Sequence, residues 1–166
     1  MEKEERMKYK WIIFDADETL FHFDNFAGLR YMFAKHDIAF EQQDYDEYQT
    51  VNKQLWVEYQ NNQITAEQLQ TRRFKLWSDR LKISPKDLNK QFLESMAEIC
   101  QTLPGATDLV KYLFDNNVRM AIITNGFVQL QQIRLERTEC CHIFHRWLFQ
   151  NWLASLNLIL QSSSML

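Results

Sequence analysis

Two carboxylates one residue apart, Asp15 and Asp17, close the apolar run Trp11-Ile12-Ile13-Phe14, and Thr19 follows them. Much later Thr124-Asn125-Gly126 closes a second apolar run, Met120-Ala121-Ile122-Ile123. Acids this close can divide labour, one attacking an electrophilic centre while the other carries protons to a leaving oxygen and from water. A carboxylate that attacks a phosphoryl group forms an acyl phosphate and splits hydrolysis into two easier displacements. The phosphate dianion repels that carboxylate unless a cation stands between them, and Mg²⁺ suits an all-oxygen site. A threonine hydroxyl and the backbone N–H groups after it can hold phosphate oxygens, with Gly126 letting the backbone come close. Each pattern has a bland reading as well: Asp-x-Asp as loop capping, Thr-Asn-Gly as a plain turn.

The elements that must position these residues follow from the hydrophobic pattern. Residues 9–14 do not alternate, so they read as a parallel strand buried on both faces, with its acids at the carboxyl end where open α/β sheets hold ligands. From Phe23 to Cys100 the pattern turns helical, with no strand-like interruption. Thr65 and Gln68 form a capping box for a helix through Leu69, Phe74, Leu76, Trp77 and Leu81. Ser84-Pro85-Lys86-Asp87 supplies an N-cap, a first-turn proline and an acid for a helix through Leu88, Phe92, Met96 and Ile99. Leu103-Pro104-Gly105 marks the return. A helix over residues 106–116, a buried strand over 118–123 and a helix over 127–137 complete an α/β order that favours a parallel sheet.

Composition narrows the class without naming a function. The 166 residues are 46% hydrophobic and 14% aromatic, with 3 Gly and 2 Pro, which suits a helical or α/β core better than a loop-rich sandwich. A formal charge of −3 gives no reason to expect a nucleic-acid polymer or an anionic membrane. Cys100, Cys140 and Cys141 are odd in number and show no disulfide framework. The charged start, Glu2 to Arg6, lacks the apolar segment of a signal peptide, and a cytoplasmic protein is the expectation. The four histidines show no metal-ligand spacing.

Asp15-Ala16-Asp17-Glu18-Thr19 and Thr124-Asn125-Gly126 resemble the first and second motifs of the haloacid dehalogenase (HAD) superfamily. Leu55-Trp56 with Tyr59-Gln60, Leu103-Pro104-Gly105-Ala106, Ile123 to Phe127 and Arg134-Leu135-Glu136-Arg137-Thr138 extend the resemblance over about residues 8 to 144. They look like the bacterial HAD pyrimidine 5′-nucleotidases. That resemblance implies an α/β fold: a Rossmann-like core with an incomplete parallel sheet over 1–22 and 101–144, and an inserted helical cap over 23–100. It implies Asp15 as nucleophile and Asp17 as general acid and base. Thr124, Asn125 and Gly126 would bind phosphate. Mg²⁺ or Mn²⁺ would be held by Asp15 and the backbone carbonyl of Asp17, and the substrate would be a nucleoside monophosphate. Another small phosphate ester, handled by a phosphatase or phosphomutase, and a non-enzymatic remnant are the rival readings. Trp56, Tyr59, Phe74 and Trp77 are candidates for stacking on a base, although their helical spacing suits core packing better. Lys53, Arg72 and Arg73 are candidates to meet a phosphate, with solvated helix surface as the simpler expectation.

Residues 145–166 depart from the family pattern, which needs a lysine and a further acidic strand end here. They contain no Lys, Asp or Glu. Suitable synonymous codons for this segment, read after one T restored behind the Phe144 codon, spell SPVVISELVGIAKPNPAIFEHA, a buried strand followed by Lys-Pro-Asn-Pro. The expectation is therefore an out-of-frame tail that impairs activity and leaves a sheet edge uncovered. Its apolar stretch falls short of the ~20 residues needed to span a bilayer.

Overall fold

The computed structural model describes residues 9–138 and 148–150. In chain order these form β1 (Trp11–Phe14), α1 (Asn25–Ala34), α2 (Gln42–Gln60), α3 (Ala66–Arg72), α4 (Lys75–Leu81), α5 (Pro85–Glu98), α6 (Ala106–Asp115), β2 (Arg119–Thr124), α7 (Val128–Arg137) and β3 (Leu148–Gln150). The chain divides into two units, Met1–Phe23 with Cys100–Leu166, and Asp24–Ile99.

The first unit is α/β. Its sheet has the order β1-β2-β3 with both pairings parallel. Phe14 registers on Ile122, so β1 and β2 deliver their carboxyl ends side by side. On one sheet face Phe14, Met120 and Ile122 pack with Val110 and Leu113 of α6, whose apolar residues recur at helical spacing. On the other face Ala121 and Ile123 pack with Trp11. Ile13 is 37% exposed, so β1 is not buried on both faces as its unbroken apolar run predicts. That run fixes a strand but cannot say how much cover its second face receives.

The tail contributes something that its sequence does not predict. Leu148–Gln150 pairs with Ile122–Thr124 as the third strand, satisfying backbone groups along that stretch of β2 that would otherwise form a bare edge. Residues 145–147 and 151–166, the rest of the segment read as out of frame, lie outside the described residues.

The second unit is helical. Thr65 accepts the Gln68 N–H, and the Gln68 side chain accepts the Thr65 N–H, closing the capping box on α3. Ser84 caps α5 by accepting the Asp87 N–H, with Pro85 in the first turn. The single helix expected after Thr65 is two helices, because the chain breaks between Arg73 and Phe74. The break keeps both Leu69 and Trp77 buried. Phe33 stacks on Phe40 at 4.8 Å and meets Trp77 at 4.3 Å, while Phe74 and Phe92 lie 5.7 Å apart. No described helix is long and apolar enough to cross a membrane.

Candidate active site

The turn after β1 is shaped by backbone bonds before any side chain acts. Leu20 and Phe21 both donate their N–H groups to the Ala16 carbonyl, and Glu18 donates to the Phe21 carbonyl at 2.8 Å. Glu18 sits at φ 54°, in the left-handed region, which costs a non-glycine residue on the order of 1 kcal/mol. Its side chain holds the coil in place, accepting the Phe23 N–H at 2.5 Å and facing His22 Nδ1 at 3.2 Å. This coil separates the two acids. Asp15 is exposed, with Oδ1 accepting the Ala16 N–H at 2.7 Å. Asp17 points inward and is only 29% exposed.

The turn after β2 meets Asp17. Thr124 is buried, and its Oγ1 accepts the Gly126 N–H at 3.0 Å. That bond uses the Gly126 donor and leaves the hydroxyl's own proton to point elsewhere. Asn125 is exposed. A Cβ placed on Gly126 would lie 2.8 Å from Gln131 Nε2, 3.2 Å from Thr124 Oγ1 and 3.3 Å from Asp17 Oδ2. Glycine suits this close approach of three polar groups, because a side chain here would have to push Gln131 Nε2 aside. Asp17, Thr124 and Gly126 converge.

Two residues that the sequence reading gave no role complete the cluster. Arg134, fully buried on α7, donates from Nη1 to Asp17 Oδ1, and also to Gln131 Oε1 at 3.3 Å. Gln131, equally buried, places Nε2 3.4 Å from the same Asp17 oxygen. The guanidinium carbon lies 5.8 Å from the Phe21 ring centre and 5.4 Å from that of Phe23. A signal for the pair exists: on α7 the buried stripe Leu130, Gln131, Arg134, Leu135 carries two polar residues where apolar ones belong. Cys100 is nearby in electrostatic terms. Burial pushes its thiol pKa up, Arg134 pulls it down, and Asp17 adds to the rise.

Among the described residues no three His, Cys, Asp or Glu side chains gather as a metal-binding group. The donors at hand are oxygens: the exposed Asp15 carboxylate and the backbone of Asp17, whose Oδ1 is engaged by Arg134. That donor chemistry fits a hard cation such as Mg²⁺, which commonly keeps several waters beside one or two carboxylates.

The helical unit's candidates divide clearly. Phe74 and Trp77 are core residues, while Trp56 and Tyr59 are half-buried and meet edge-on at 5.8 Å. Lys53 is exposed, and Arg72 Nη1 lies 3.8 Å from Glu58. Arg73 is not a solvated surface charge, contrary to the simple expectation. It is buried, donates to Asn89 Oδ1 at 2.5 Å, and lies over the rings of Phe92 and Phe74. Desolvation lowers its pKa, and burial raises that of neighbouring Tyr48.

Comparison with known proteins matches residues 9–149 to the haloacid dehalogenase-like hydrolase family. The chain is 54% identical over 132 residues to the pyrimidine 5′-nucleotidase YjjG of Escherichia coli K12, covering 80% of this chain and 58% of that protein. It is 29% identical over 145 residues to the pyrimidine 5′-nucleotidase PynA of Streptococcus pneumoniae, covering 84% and 61% respectively. It thus spans less than two thirds of these relatives. Among solved structures, the putative HAD-hydrolase YfnB of Bacillus subtilis, bound to magnesium, shares the fold at a TM-score of 0.67 and 24% identity, over 83% of this chain and 62% of that one.

Proposed function

The chain belongs to the haloacid dehalogenase-like hydrolases, and from that premise we propose that its site is built to hydrolyse the phosphate monoester of a pyrimidine nucleoside monophosphate. The observation that carries this reading is the convergence of Asp17, Thr124 and Gly126 beside the strand end that bears Asp15. The 54% identical relative, itself a pyrimidine 5′-nucleotidase, supports the substrate class.

In this reading an Asp15 carboxylate oxygen attacks phosphorus, and the P–O bond to the nucleoside breaks as the acyl phosphate forms. Asp17 gives a proton to the departing oxygen, then takes one from the water that attacks the acyl phosphate. The Thr124 hydroxyl, already accepting from Gly126, turns its own proton toward a phosphate oxygen, and the Asn125 N–H adds a second donor. Asp15 and the Asp17 carbonyl would hold Mg²⁺ (or Mn²⁺), which supplies charge neutralisation between carboxylate and phosphate. Residues 145–166 bring no Lys, Asp or Glu to this chemistry. Losing one preorganised charge-stabilising group typically costs ~2.7–4 kcal/mol in the barrier, so these 166 residues by themselves should turn over slowly at best.

The test is phosphate release from pyrimidine nucleoside monophosphates with Mg²⁺ present. Asp15→Asn should abolish whatever release is seen, because an amide is no nucleophile here. Hydrolysis that survives Asp15→Asn would remove the reading.

A further inference from the structure

We infer that Arg134 is a positioning residue for Asp17, sorting its two carboxylate oxygens into a held one and a working one. The inference rests on the reading of Asp17 as the proton carrier. Oδ1 is bound by Arg134 Nη1 and approached by Gln131 Nε2 at 3.4 Å. Oδ2 faces the Gly126 turn, where a Cβ would meet it at 3.3 Å. One oxygen is thus anchored on α7, and the other lies beside Gly126, on the same close approach as the Thr124 hydroxyl. A carboxylate on a short side chain has free rotation about its Cα–Cβ bond unless something fixes it. A general acid must lie within hydrogen-bond reach of the oxygen that it protonates. Fixing Oδ1 achieves that for Oδ2.

The surroundings of Arg134 direct its one carboxylate bond to Asp17. Among the described residues Nε and Nη2 are buried without a hydrogen-bond partner, and the carboxylate bond falls to Nη1. The guanidinium is wedged against Phe21 and Phe23, on the same coil that carries Asp17. The rings fix the cation, and the cation fixes the acid. Gln131, three residues earlier on α7, braces Arg134 through its Oε1 and leaves Nε2 facing Asp17.

The decisive measurement is the Asp17 rotamer in the 166-residue protein, read by NMR from three-bond couplings between Cγ and the backbone N and carbonyl carbon. Single-rotamer couplings are expected in the unsubstituted chain and in Arg134→Lys. Averaged couplings are expected in Arg134→Met, which keeps an apolar stem against Phe21 and Phe23. Averaging already in the unsubstituted chain, or unchanged couplings in a folded Arg134→Met, would overturn the proposal. The reciprocal arm guards against a methionine variant that does not fold. Asp17→Asn should release the Arg134 Nη protons from slow rotation, and Nη signals indifferent to Asp17→Asn would also overturn it. In single-turnover release of the leaving group, the step before water attacks, Arg134→Met should slow a nucleoside monophosphate about 10²-fold more than p-nitrophenyl phosphate, whose phenolate leaves without a proton. Equal losses in that step would overturn positioning. Hydrolysis that persists in Asp15→Asn would instead sink the parent reading and leave the rotamer result standing.

Discussion

Each unit of this molecule buries an arginine, and the two are kept for different ends. Arg134 in the α/β unit sits fully buried against the carboxylate of Asp17. Arg73 in the helical unit donates to the neutral amide of Asn89 and lies over two adjacent phenylalanine rings. A charge taken from water is costly wherever it goes, and what it faces shows what offsets that cost. Arg73 ties α3 to α5 and the aromatic core, so it belongs to packing. Arg134 ties α7 to the coil that carries the acids, so it belongs to the site. The glycines divide the same way: Gly28 makes room for Met96 on α5, and Gly126 makes room for Asp17, Thr124 and Gln131.

This contrast can be broken by experiment. The largest stability effect should come from Arg73→Ala, which empties a buried side chain and strips Asn89 of its partner. A loss of about 3–4 kcal/mol is expected in urea unfolding. A loss under ~1 kcal/mol would place Arg73 outside the core's energetics. Gly28→Ala comes next, since its Cβ would fall 2.1 Å from Met96 Sδ. Repacking should cost about 1–3 kcal/mol. Gly126→Ala should do the reverse, leaving unfolding within ~1 kcal/mol while reducing Asp15-dependent hydrolysis on the order of 10²-fold, because it displaces the polar cluster. Similar stability losses at both glycines would erase the distinction.

Thr65→Ala should cost ~1 kcal/mol in the same unfolding assay, by removing a capping box that touches no site residue. The smallest effect concerns Cys100. Because its folded pKa is raised, its contribution to stability is full below the ordinary thiol range. That contribution is lost as pH rises from there through the raised value. Alkylation followed at this residue by mass spectrometry should therefore show a midpoint at higher pH in the folded protein than in urea. Coincident midpoints would mean that burial does not act on this thiol.

Much of the fold was legible in the residues. The helix starts at Thr65 and Ser84, the proline in the first turn of α5, and the acids just past β1 all rest on signals confined to a few neighbouring positions. So do the strand-closing Thr124 and the glycine two residues later. The break at Arg73–Phe74 was not legible, because the helical period of Leu69, Trp77 and Leu81 runs through it unbroken. The strand at Leu148–Gln150 was hidden for a related reason. A three-residue strand has no period to read, and it exists through the open backbone groups of β2.

The sequence alone thus determined where the two acids and the threonine stand on their strands, since strand ends and caps are decided by nearest neighbours. Only the tertiary structure decided which groups those acids face. The Arg134–Asp17 bond joins residues 117 positions apart, and it forms because parallel pairing of β1 with β2 brings α7 back beside the first coil. Local rules fix the position of a side chain in its element. Its partners are chosen by the closing of the chain.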